Sequence, residues 1–142
     1  MATYNWGVDR TFKAGIPNLG NYQYGFVKLG GPLGACMVVN ASTLGGSIIG
    51  VLQNDPVAAC DLAVVRVLGF SKVRTDTEDG ASPIVVGNWV KCASNGWAQG
   101  CATDEFAVAA STWCTGIAME SASSASGQWI EMFIKPMHLP CT

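Results

Sequence analysis

From Val64 to Val73 the chain alternates between two sets of positions. One set holds Val64, Arg66, Leu68, Phe70 and Lys72, and the other holds Val65, Val67, Gly69, Ser71 and Val73. Both charges fall in the first set, the pattern of a strand with one wetter face. The valines are β-branched and stiff at χ1, which suits an extended, half-buried surface. Helix competes for so short an apolar run, but Gly69, the valines and the flanking turn residues oppose it. A second apolar run, Ile48–Leu52, precedes this one across the polar interruption Gln53-Asn54-Asp55-Pro56. The pattern over Ile48–Asp76 predicts two strands joined by a loop, with the rest of the fold paired onto them.

Short apolar runs elsewhere extend this pattern. Phe26–Leu29 reads as a strand closed by Gly30-Gly31-Pro32, Ala35–Val39 as another, and Asn40–Gly46 as a polar loop. Thr77–Pro83 has the charge, Gly and Pro of a solvated loop. Ile84–Val86 and Asn88–Cys92 read as strands around Gly87. Asn95-Gly96 predicts a type I′ turn that folds Trp89–Ala93 against Trp97–Gln99. Asp104–Ala110, with acids in its first turn, suits one or two turns of helix. Thr115–Glu120 and Gln128–Lys135 are the last two strands, separated by a small-residue loop. In the latter, Ile130, Met132 and Ile134 share one face, and Trp129, Glu131, Phe133 and Lys135 share the other. Pro136 and Pro140 are expected to stop it, leaving a short tail. About eight or nine short strands with at most one short helix predict an all-β domain. A small antiparallel barrel or a compact sandwich is the economical way to hide so many edges.

Residues 1–25 differ in kind. They lack periodicity and are rich in turn formers, yet carry Tyr4, Trp6, Tyr22 and Tyr24. A disordered tail lacks aromatics. The segment is therefore expected to be an extended N-terminal arm packed on its own barrel or, preferentially, on a neighbour, with 26–142 forming one β domain. Its Tyr4, Trp6, Phe12, Tyr22 and Tyr24 are the candidate contact residues.

Composition narrows the function. Charged residues make up 13% of the 142-residue chain against 49% hydrophobic, about half the usual charged share. So little charge implies weakly polar surface, which fits either an assembly or a large filled core. The net charge is −2 and the eight basic residues are scattered, which excludes the basic stripe that phosphate neutralisation needs; nucleic acid is not an expected partner. No apolar segment approaches the ~18 residues of a membrane span. The first residues lack the basic-then-apolar order of a signal peptide, so synthesis in a reducing cytosol is expected.

The chemistry-bearing residues form no constellation. Cys36, Cys60, Cys92, Cys101, Cys114 and Cys141 include no two at zinc-knuckle or redox spacing. They read as buried thiols, with a disulfide as the lesser alternative. His138, the single histidine, lies in the expected tail and is a poor general base. Asp76, Glu78 and Asp79 lack the EF-hand pattern. A carboxylate pair close in space remains open, although Glu120 and Glu131 lie in strand patterns. The five tryptophans, Trp6, Trp89, Trp97, Trp113 and Trp129, fit core and interface anchors better than a ligand groove. No enzyme activity, metal or cofactor is expected.

Several stretches stand in an order that resembles the capsid decoration (cement) proteins of tailed bacteriophages. These are Arg10, Phe12, Ala14-Gly15 and Tyr24–Leu29; then IIGVLQNDP (48–56) and AVVRVLGFSKV (63–73); then Gly87–Val90 with Asn95-Gly96; and GIAMESASSASGQWIEMFI (116–134). Residues 99–114 match least. At Cys60-Asp61 the family loop carries a Gly and an acid, so Cys60 is a departure. The resemblance implies a small β-barrel-like subunit, often a homotrimer, made in the host cytoplasm and placed on the outer capsid surface. There it would staple neighbouring major capsid protein subunits. A ligand-binding or enzymatic barrel and a tail subunit are the alternatives.

Overall fold

The computed structural model describes residues 6–30, 37–41, 48–76, 83–101, 112–123 and 127–139. Within them run nine strands: β1 (Gly7–Ala14), β2 (Phe26–Leu29), β3 (Met37–Asn40), β4 (Ile48–Leu52), β5 (Leu62–Arg74), β6 (Trp89–Cys92), β7 (Ala98–Gly100), β8 (Thr112–Ala118) and β9 (Trp129–Leu139). One 3₁₀ turn, Leu19–Tyr22, is the helical element among the described residues. The fold is all-β, as the pattern predicts. The expected helix over Asp104–Ala110 and most of the expected Thr77–Pro83 loop lie outside the described residues.

The strand order is β1-β3-β2-β4-β5-β9-β8-β6-β7, and β1 also pairs with β5. That extra pairing closes a five-stranded barrel, β1-β3-β2-β4-β5. Thirteen-residue β5 makes both parts of the molecule. Leu62–Arg66, Leu68 and Gly69 pair with β1, and Val65 and Arg66 also with Leu52 and Val51 of β4. Gly69–Arg74 pair with β9, where the same nine-stranded sheet continues past the barrel as β9-β8-β6-β7, a part called the second sheet below. The changeover falls at a register shift that leaves Val67 extra between Leu68 and Arg66, opposite Val8 and Asp9. Such a bulge bends and twists a strand. Gly69 sits at the bend with φ +104°, and a Cβ there would lie 2.3 Å from the Trp6 carbonyl oxygen. Only glycine meets both demands.

Two cores follow from this architecture. Inside the barrel, Ala14, Leu19, Val27, Val38, Leu52, Ala63 and Val65 are buried, with Phe12, Ile16, Tyr22, Ile49 and Val67 packed around them. Between barrel and second sheet lie Phe26, Ile48, Val51, Val73, Val90, Ile130, Met132 and Ile134 among others. Strands β2 and β4 form the shared wall, so Phe26 faces one core and Val27 the other. This explains why Ile48–Leu52 is a continuous apolar run: both of its faces are covered.

The segment expected as an arm contributes directly to the barrel. Residues 7–14 are extended, and β1 is registered against β5 from Gly7↔Gly69 to Lys13↔Leu62. Ala14 and Leu19 are fully buried.

Three local expectations require correction. Asn95-Gly96 does join β6 to β7, but only Gly96 has positive φ, +90°. The Gly96 N–H donates to the Ala93 carbonyl and the Ala93 N–H to the Trp97 carbonyl, a three-residue loop with glycine in the left-handed position rather than a type I′ turn. Asn95 instead spends its side chain on tethering: its Nδ2 donates to Asp76 Oδ1 at 2.7 Å and its Oδ1 accepts from the Trp97 N–H. Ile84–Val86 is not a strand; Ile84 alone bridges to Ala122, and Asn88 N–H closes a turn onto the Val85 carbonyl. Finally, Pro136 does not stop β9, which continues to Leu139 opposite Thr112. The ladder skips from Cys114↔Met137 to Gly116↔Ile134, placing Pro136 at a bulge where its missing N–H breaks no pairing. His138 therefore lies in β9, paired with Trp113, and not in a tail.

Candidate functional site

The outward positions of β5, β9, β8 and β6 register into rows. Phe70 pairs with Phe133, Phe133 with Ile117, and Ile117 with Trp89. The two phenyl rings meet edge to face, centroids 5.1 Å apart, the favoured arrangement of aromatic quadrupoles. The next β5 position, Leu68, is exposed opposite exposed Val8 of β1. Trp6, 58% exposed, precedes β1, and its carbonyl accepts the Phe70 N–H. A face that alternation would leave to water is thus lined by Trp6, Val8, Leu68, Phe70 and Phe133. Lys72 and Glu131, opposite charges in cross-strand register, form the following row.

Beyond that row the second sheet meets the barrel at an aromatic ledge. Arg74 pairs with Trp129 across β5 and β9. Trp129, 49% exposed, packs edge to face against Tyr24 at 5.2 Å. The Arg74 guanidinium lies 4.8 Å over the Trp97 ring, and Trp97 leans on Tyr22 at 5.9 Å. Cation–π contact fixes the arginine while leaving its hydrogens for other partners. Tyr24 has φ +63°, an uncommon conformation for a bulky residue. It is held there from both sides, since its N–H donates to the Leu52 carbonyl and its carbonyl accepts from the Arg74 N–H. Strain of this kind is retained where surrounding structure over-determines it, often at binding surfaces.

Between the apolar rows and the ledge runs a groove of about 290 Å³, lined by Tyr24, Gln53, Arg66, Phe70, Lys72, Glu120, Trp129 and Glu131 among others. Its floor is fastened by Gln53, whose Nε2 donates to Ser71 Oγ at 2.9 Å. Its arginine is already engaged. Arg66 Nε and Nη2 fork onto both oxygens of Asp9 at 2.7 and 2.9 Å, and Nη1 donates to the Phe70 carbonyl. The fork holds the Asp9 carboxyl below its ordinary range and raises the Arg66 pKa. Arg66 is therefore a strut across the β1–β5 bulge, not a group waiting for a ligand.

The thiols divide by location. Cys92, Cys101 and Cys114 are buried, whereas Cys60 is exposed, and Cys36 and Cys141 lie outside the described residues. Burial, with the nearby Asp76 carboxylate, pushes the Cys92 thiol up to about 12, so it stays protonated and un-nucleophilic at neutral pH.

Of the contact residues expected from sequence, Tyr22 and Tyr24 are brought together at the ledge and Trp6 stands at the opposite end of the face. Phe12 is half-buried against the barrel core, and Tyr4 lies outside the described residues. Trp97 and Trp129, expected only as core or interface anchors, and Phe70 and Phe133, not singled out from sequence, stand on the same face. The signal for Trp129 and Phe133 was present: they alternate with buried Ile130, Met132 and Ile134, so aromatics occupy the outer face of β9.

This outer face and barrel can be set beside known proteins. No protein-family model and no curated protein sequence matches the chain. A solved structure does. The chain is similar to the N base of the head fiber gp8.5 of bacteriophage phi29, with a TM-score of 0.57 over 92% of this chain and 95% of that one. Sequence identity is 22%, so the likeness is one of fold.

Proposed function

We propose that the chain is a structural protein of a bacteriophage virion, seated on the outside of the head and bound through its aromatic outer face to major capsid protein subunits. The observation that carries this reading is the fold shared over nearly the whole of both chains with a phage head fiber base. The exposed Trp6, Val8, Leu68 and Trp129 support it, because an apolar face rimmed by charges such as Lys72 and Glu131 marks a protein contact. No catalytic step enters the reading. The work is binding: each copy, as part of a homotrimer, spans neighbouring capsid subunits, adds buried area to the assembled state and gains avidity from engaging several at once.

The fiber-base likeness favours a second placement on the same head, in which the chain seats a longer appendage rather than acting as a cement. Mass spectrometry of virions separated into heads and tails tests the shared claim. Stoichiometric recovery with heads is expected; recovery with tails, or absence from particles, overturns it. Cement and fiber base then separate on whether removal of the protein lowers the temperature at which heads release DNA.

A further inference from the structure

The end of β7 and the middle of β8 bring two sulfurs together. Cys101 follows Gly100 directly, with its N–H donating to the Trp89 carbonyl at 3.0 Å. Cys114 lies in β8 opposite Lys91. The two thiols thus approach from the strands on either side of β6, and their sulfurs are 4.0 Å apart, at 5% and 1% exposure. A disulfide needs about 2.05 Å between sulfurs, so closing one takes roughly 2 Å of movement. The fold supplies slack for it. Both neighbours of Cys114 in the ladders are shifted in register, and β7 is a three-residue strand at the end of the sheet order.

We propose that Cys101 and Cys114 form an oxidation site, kept as two thiols in a reducing cytosol and closed to a disulfide on exposure to a small-molecule disulfide. One cysteine loses its proton and attacks the reagent, forming a mixed disulfide and expelling one small thiolate. The second cysteine then loses its proton and attacks the protein sulfur, expelling the other. In sum, two cysteine thiols and one R–S–S–R give one protein disulfide and two R–SH. Burial makes the first attack slow, through local opening of the β7 edge. The product ties residue 101 to residue 114 and closes a ring through the chain between them. Because that crosslink restricts the unfolded chain, it raises the melting temperature, on the order of 10 °C.

The test uses the native full chain. Exposed Cys60 is first capped with iodoacetamide under native conditions, and the protein is then incubated with hydroxyethyl disulfide. After denaturation and a second alkylation, intact mass and peptide mapping follow. Trypsin cuts after Lys91 but not at the Lys135-Pro136 bond, so one tryptic peptide holds Cys92, Cys101, Cys114 and Cys141. Further cleavage by chymotrypsin after Trp97 and by a glutamate-specific protease at Glu105 and Glu120 puts each cysteine on its own fragment, so the fragments holding Cys101 and Cys114 stay joined only across a 101–114 bond. The expected result is loss of two alkylation sites, a joined pair of fragments, and a melting temperature that falls back on adding dithiothreitol. Full alkylation of both cysteines after prolonged incubation, or a linkage through any other cysteine, overturns the proposal.

Discussion

Cys60 stands at φ +71°, a left-handed position at the end of the β4–β5 loop, two residues before β5, where a side chain is strained and glycine is not. Cys60→Gly is expected to raise stability by about 0.5–1 kcal/mol in thermal melts, with Cys60→Ala near neutral. Nothing in the chain's own pattern marks this strain; it becomes visible only with the backbone angle. Asp9 gives a second test at the same scale. Its carboxyl is held low by the Arg66 fork, so the pair's contribution is full above the ordinary carboxylate value near 4 and is lost as pH falls through the depressed native value. Asp9→Asn should therefore cost about 1 kcal/mol at pH 7, because Asp9 is partly exposed, and the gap to the parent protein should close on acidification below that range. A gap independent of pH would contradict it. Sequence spacing could not pair Asp9 with Arg66, 57 residues apart; the pairing is a product of barrel closure.

At the scale of elements, the hinge in β5 and the first strand are the sensitive parts. Gly69→Ala meets both positive φ and a backbone oxygen 2.3 Å from the new carbon, and should destabilise by at least about 2 kcal/mol. Gly87→Ala, with φ +84° but nothing within 4 Å, should cost only about 1 kcal/mol. Chemical denaturation of the two variants checks the order. Removing residues 1–25 takes away β1 and buried Leu19, so the remainder is expected to lose its cooperative melt rather than persist as a folded domain. The alternation in β5 and β9, the Ile48–Leu52 run and the β6–β7 hairpin were legible because each is set by local periodicity. The role of residues 7–14 was not, since β1 is solvated at Asp9, Arg10, Thr11 and Lys13 and is defined by its partners rather than by its own pattern. Pro136 misled for a related reason: a bulge in β9 itself, set by its pairing with β8 and not by its own pattern, lets the strand run through the proline.

For the whole molecule, the barrel class was readable from many short strands, few charges and punctuating glycines, whereas the outer face was only partly readable. Tyr22 and Tyr24 were found by their composition-defying segment, but Trp97, Arg74 and Trp129 join them from distant parts of the chain. If this ledge is the contact, Trp129→Ala should weaken binding to phage heads at least tenfold, as loss of an aromatic anchor does. It should move the melting temperature by only a few degrees, because Trp129 is half exposed. The most direct measurement is co-sedimentation of the purified protein with phage heads that lack it, followed by heating the complexes. Saturable binding with a fixed number of copies per head, and release of DNA at a higher temperature than from bare heads, is the predicted outcome. Failure of the folded protein to bind heads at any concentration would contradict the account.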